Sequence, residues 1–108
     1  DRSSAASDVY KRQLYEALGP DTSKRAFVHY PAGTYPGQTK DIADNTHFNP
    51  YGAYQIAKCV IEGMKKAVPE LAKHLKIDPA YDPAHPDDVN AFHWNESPFT
   101  EIEKPDGN

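Results

Sequence analysis

Between Asn49-Pro50 and Pro69 the sequence permits little but a helix. Asn49 is a strong N-cap, and Pro50 falls in the first turn, where its missing N–H has no intrahelical acceptor to lose. Ala53, Ile56, Ala57, Val60, Ile61, Met64 and Val68 then recur at spacings of three and four. Lys58, Glu62, Lys65 and Lys66 fall largely on the other face. This predicts an amphipathic helix over about 50–67 with a buried apolar stripe. Pro69 stops it, and "PELAKHLKI" reads as one further short helix.

The rest of the chain offers that stripe little to pack on. Leu, Ile, Val and Phe number 18 of 108 residues, or 17%, a level that leans toward disorder in a chain standing alone. Against that, the formal charge is only −4, and the 12 aromatics are too many for a purely solvated tail. The composition therefore predicts a folded but core-poor chain, the terminal part of a larger domain that supplies the remaining core. Ten prolines point the same way.

Scattered basic residues matched by acids disfavour nucleic acid, which needs clustered Lys and Arg. No apolar run approaches the ~18–20 residues of a membrane span, and "DRSSAASDVY" has no signal-peptide pattern. The single cysteine, Cys59, excludes an intrachain disulfide framework and reads as a buried core thiol. Upstream, "SSAASDVYKRQLYEALGP" predicts a helix over about 5–18 with Gly19 as its cap and Pro20 as its stop. "DTSKRAF" allows a short turn, and "AFVHY" a brief extended run ending at Pro31. Residues 31–49 then read as a long loop, of the length that tends to be functional. From Asp78 the periodicity dissolves, yet Tyr81, Phe92, Trp94, Phe99 and Ile102 recur. This reads as an extended tail that pins itself to a larger body with those side chains.

The 31–49 loop ends in Asp44-Asn45-Thr46-His47. A histidine is the natural proton shuttle for a serine hydroxyl, and a carboxylate on its other ring nitrogen fixes its tautomer. If residues 44–47 form one turn, Asp44 reaches one imidazole nitrogen and leaves the other for a nucleophile. The bare spacing equally suits a structural loop and helix cap.

"DNTHFNPYGA", followed by a long amphipathic helix, resembles the last conserved block of the SGNH (GDSL-like) hydrolases, in particular the rhamnogalacturonan acetylesterase branch. The resemblance runs over roughly residues 5–68. It implies an α/β class, this chain being the C-terminal part of a three-layer α/β/α, flavodoxin-like fold and itself mainly helical, with long loops and one short strand at most. It implies a serine esterase that deacetylates cell-wall polysaccharide, with His47 as general base and acid and Asp44 orienting it. Tyr30, Tyr35, Tyr51 and Tyr54 cluster around the loop and either shape a substrate rim, with Tyr35 and Tyr51 as the candidate substrate-binding residues, or simply cover the loop. The implied partners are an acetylated polysaccharide or small ester and the remainder of the SGNH domain. No cofactor or metal is called for, and the implied location is secreted or periplasmic.

The family's G-D-S nucleophile block and its oxyanion donors are absent, and Ser3, Ser4, Ser7, Ser23 and Ser97 occupy no comparable setting. The chain alone is therefore expected to be inactive. Residues 1–77 are assigned to the hydrolase domain and 78–108 to the Pro- and acid-rich tail. His29, His74, His85 and His93 match no metal-ligand spacing. His29 reads as a strand-end residue, His74 as an exposed one, and His93-Trp94-Asn95 as tail packing in preference to a sugar site. The alternative to the esterase is a non-catalytic helical interaction module whose D-N-T-H only caps a helix.

Overall fold

The structure, a computed structural model, describes residues 2–76, 80–99 and 101–105. The expected boundary between 77 and 78 lies outside the described residues. The element order is α1 (Arg2–Thr22), a 3-10 turn (Ser23–Ala26), β1 (Phe27–Tyr30), β2 (Ile42–Phe48), α2 (Pro50–Ala67) and α3 (Pro69–Ala72). The mixture of helices with a two-stranded sheet is consistent with a piece of an α/β fold.

α1 starts earlier than the 5–18 expected, since nothing in Ser3-Ser4-Ala5-Ala6 opposes a helix. Its regular course ends where expected, at Gly19, whose φ of 77° and ψ of 173° break the helix before a last turn opened by Pro20. Both ends of α2 fall where they were expected, and the Asn49 side chain accepts the Gly52 N–H at 2.8 Å.

Two expectations fail. The described residues hold two strands where one at most was expected, because part of the 31–49 loop is β2, antiparallel to β1. A compact loop joins them, with Gly33 and Gly37 at positive φ supplying its turns. Gln38 plugs that loop: its amide nitrogen reaches the carbonyls of Tyr30, Pro31 and Lys40, and its oxygen accepts the Tyr35 N–H.

The buried face of α2 is also not the apolar stripe. Tyr51, Gly52, Gln55, Cys59 and Gly63 are buried, whereas Ala53, Ala57 and Val60 are exposed and Ile56, Ile61 and Met64 half-buried. Close approach decides this. A Cβ on Gly63 would lie 2.7 Å from the Ser7 backbone nitrogen, so α1 and α2 meet almost backbone to backbone. Burial of Gln55 is tolerable because its amide donates to the Asp87 carboxylate at 2.7 Å and accepts the Tyr81 hydroxyl at 2.8 Å.

Those bonds lay residues 81–92 along α2. Tyr51 donates its hydroxyl to the Asp87 carbonyl, and Phe92 packs on the rings of Tyr51 and Tyr54. Phe99 and Ile102, expected to pin the tail, are largely exposed. Cys59 is fully buried, as expected, and burial raises its thiol pKa.

Candidate active site

The site begins with a register break. Along the hairpin, Tyr30 faces Ile42, His29 faces Ala43 and Val28 faces Asp44; the next pair is Phe27 with Phe48. Asn45, Thr46 and His47 are therefore bulged out of the ladder. Ile42 and Asp44 share the inward face of β2, so the strand points a carboxylate where it would otherwise point an apolar side chain.

What makes that tolerable is the bulge itself. Asp44 Oδ1 accepts the backbone N–H groups of Thr46 at 2.7 Å and His47 at 2.8 Å, and Oδ2 lies 2.8 Å from His47 Nδ1. The two backbone donors are the main reason its pKa falls well below the ordinary carboxylate range, with His47 adding a smaller share. The Asp44 side chain is 7% exposed. An ionised Asp44 can only accept, so in the neutral ring the proton it receives lies on Nδ1 and Nε2 is left as the acceptor. The His47 side chain is 55% exposed, and its Nε2 hydrogen-bonds no described residue.

Two anchors set the bulge in place. On one side His29 Nε2 lies 2.6 Å from Asn45 Oδ1. On the other, Asn49 ties the end of the bulge to the 3-10 turn and the start of β1: its backbone N–H donates to the Ala26 carbonyl at 3.2 Å, and its side-chain amide to those of Arg25 at 2.6 Å and Phe27 at 3.1 Å. By sequence alone His29 reads as a strand end and Asn49 as a helix cap. The cross-strand register that brings His29 to Asn45 could not be read without knowing of the bulge.

Of the other expected site residues, Tyr35 packs edge-on against Tyr30 at 5.2 Å. Tyr51 is buried, with its hydroxyl committed to Asp87. Neither hydrogen-bonds His47. Ser7, Ser23 and Ser97 are engaged elsewhere: Ser7 is buried under Gly63, Ser23 donates to the Tyr15 carbonyl, and Ser97 accepts the Phe99 N–H.

A second acid and histidine lie three apart at Asp82 and His85. Asp82 Oδ1 accepts the Ala84 N–H at 3.0 Å, and Oδ2 lies 2.9 Å from His85 Nδ1. The carboxylate-to-ring contact thus arises from an Asx turn alone. What separates the two pairs is setting: Asp82 and His85 are 61% and 83% exposed, with no ladder or helix cap holding them.

Over 62 residues the chain is 45% identical to rhamnogalacturonan acetylesterase RhgT of Bacillus subtilis (strain 168). Over more than half its length, the chain is related to an esterase. The matched stretch is 57% of this chain and 27% of that enzyme, so the chain spans about a quarter of its relative. No family model matches, and no solved structure does. No helix among the described residues is long and apolar enough to cross a membrane.

A pH titration tests the site without any substrate. Asp44 folds with a lowered pKa, so its stabilising contribution is present above the unfolded value of ~3.9 and is lost only as pH falls through the lower folded value. Its side-chain carbonyl resonance, followed by NMR from pH 7 downward, is expected to stay that of a carboxylate at pH 3. A midpoint at or above pH 4 contradicts the bonded geometry.

Proposed function

We propose that this chain supplies the Asp-His half of a Ser-His-Asp triad in a carbohydrate acetylesterase of the SGNH type. The nucleophilic serine and oxyanion donors come from residues outside these 108. The observation that carries the reading is the His47 Nδ1 to Asp44 Oδ2 contact of 2.8 Å, on a carboxylate fixed by two backbone donors.

In this mechanism the open Nε2 of His47 takes the serine proton as the hydroxyl attacks the acetyl carbonyl. Asp44 stabilises the resulting imidazolium, and His47 returns the proton to the departing sugar alkoxide. Water then repeats the sequence on the acetyl-serine: His47 takes its proton and returns it to serine, releasing acetate. Without serine and oxyanion donors the chain performs no turnover by itself. Tyr35, on the loop that leads into β2, is the candidate for substrate contact. Tyr51 acts by holding residues 87–92 in place.

The competing reading, a non-catalytic module in which D-N-T-H is only a turn, draws on the pair at Asp82 and His85. The two pairs provide their own control. In a polypeptide that contains the serine block, Asp44→Asn is expected to lower kcat for p-nitrophenyl acetate by about 10⁴, because the ring keeps its place but loses tautomer control. Asp82→Asn is expected to leave the rate within twofold. Equal effects, or none from Asp44→Asn, would sink the triad reading.

A further inference from the structure

Both acid-histidine pairs close a similar short turn, so the turn alone does not fix where its ring stands in the molecule. Asp44 Oδ2 meets His47 Nδ1 at 2.8 Å and Asp82 Oδ2 meets His85 Nδ1 at 2.9 Å, and each carboxylate also accepts at least one backbone N–H of its own turn. Those bonds are internal. They set each ring against its carboxylate and leave the pair as a whole to be held by something else.

For His47 that hold includes a side chain of β1. His29 faces Ala43 in the ladder, and its Nε2 reaches diagonally past that residue to Asn45 Oδ1 at 2.6 Å. An amide oxygen only accepts, so Nε2 is the donor, and the imidazolium would carry the same proton there. Among the described residues this is the one side-chain hydrogen bond that ties Asn45, Thr46 or His47 to another element. It also works from the opposite side to Asp44, which is buried on β2 while Asn45 is exposed. The bulge, which has left the ladder, is thus gripped from both faces. A bond between partly exposed side chains adds little to stability, so its consequence falls on position.

We propose that His29 is a positioning residue for His47: by holding Asn45 it fixes the bulge, and with it the direction in which the open Nε2 of His47 points. The proposal rests on the triad reading for its effect on rate, and not for the ring order it predicts.

His85 serves as a standard within the same molecule. In the 108-residue chain, carbon-13 relaxation is expected to report an ordered ring at His47 and a mobile one at His85. His29→Leu is expected to bring His47 close to His85, and Asn45→Ala, which breaks the same bond from its other end, to do the same. His29→Gln, whose amide nitrogen donates at about the reach of Nε2, is expected to return most of the order. Far-UV circular dichroism checks that each variant is folded. In a polypeptide that carries the serine, His29→Leu is expected to lower kcat for p-nitrophenyl acetate by roughly tenfold to a hundredfold at unchanged KM, the scale of a catalytic group displaced by up to ~1 Å. It is expected to lower nothing further where His47 is already alanine.

A His47 ring as ordered in His29→Leu and Asn45→Ala as in the parent would overturn the proposal. So would no recovery in folded His29→Gln, or a raised KM with kcat kept, which would make His29 a substrate contact. The two readouts separate the grip from the triad. Activity lost in His47→Ala but kept in His29→Leu removes the positioning role and leaves the triad standing. Activity kept in His47→Ala removes the triad, and the ring order then decides the grip.

Discussion

Replacing His47 with alanine is expected to lower kcat for acetyl-ester hydrolysis by roughly 10⁶ in a polypeptide that carries the serine, which is the scale of losing the base of a Ser-His-Asp triad. On the proposed triad the ring moves the proton: Nδ1 is held by Asp44, and Nε2 has no partner among the described residues. Its removal should cost little stability, since the side chain is 55% exposed and its one ring contact is to a carboxylate that keeps both backbone donors. A structural histidine would behave in the opposite way, with a modest rate loss that follows loss of fold. Exposure supplies a further check. Free imidazole should reach the vacated position in His47→Ala and recover part of the rate, with a rate that rises with imidazole concentration. Activity within tenfold of the parent would refute the assignment. So would a rate loss accompanied by a matching fall in thermal midpoint.

The second large effect is expected where there is no side chain. A Cβ on Gly52 would lie 1.9 Å from the carbonyl oxygen of Ala26 and 2.7 Å from its carbonyl carbon. Both are backbone atoms, which no rotamer change can move. The same carbonyl accepts the Asn49 N–H, so the helix end cannot shift away without breaking its cap on the 3-10 turn. Alanine gains about 1 kcal/mol in helix propensity over glycine. Overpacking costs typically 1–3 kcal/mol, and more where rigid backbone must yield. We expect Gly52→Ala to destabilise the chain by at least about 3 kcal/mol, a large part of the 5–15 kcal/mol that folds a typical domain. The urea midpoint measures it, and an unchanged midpoint would refute the contact. Because Asn49 follows His47 by two residues, the same substitution in a polypeptide that carries the serine should, on the proposed triad, also lower activity under conditions where it remains folded. A displacement of about 1 Å at a catalytic group costs about a hundredfold.

These two sites differ in how far they could be read in advance. That Asp44 and His47 could meet was legible, because a carboxylate and an imidazole three apart reach each other within one turn. That Asp82 and His85 meet by the same geometry shows how little the spacing discriminates by itself. Gly52 carried no local signal. A glycine in the first turn of a helix reads as a weak position, and its necessity appears only when Ala26 is seen against it. The apolar stripe of α2 misled for a related reason. Periodicity shows which residues could share a face, while burial goes to whichever face lets two backbones approach. Here that face carries glycines and a satisfied glutamine.

What the sequence by itself determined is local. The limits of α2, its Asn49 cap, the break at Gly19 and the acid-histidine pair all depend on residues within a few positions of one another, where propensity and short-range hydrogen bonds decide. Only the tertiary structure settled the second strand, the three-residue bulge that sets Asp44 inward and His47 outward, the buried face of α2 and the course of residues 81–92 along it. Each of these depends on partners far apart in the chain, His29 with Asn45, Ala26 with Gly52 and Gln55 with Asp87. Backbone geometry and hydrogen-bond satisfaction bring such partners together, and a one-dimensional pattern does not encode them.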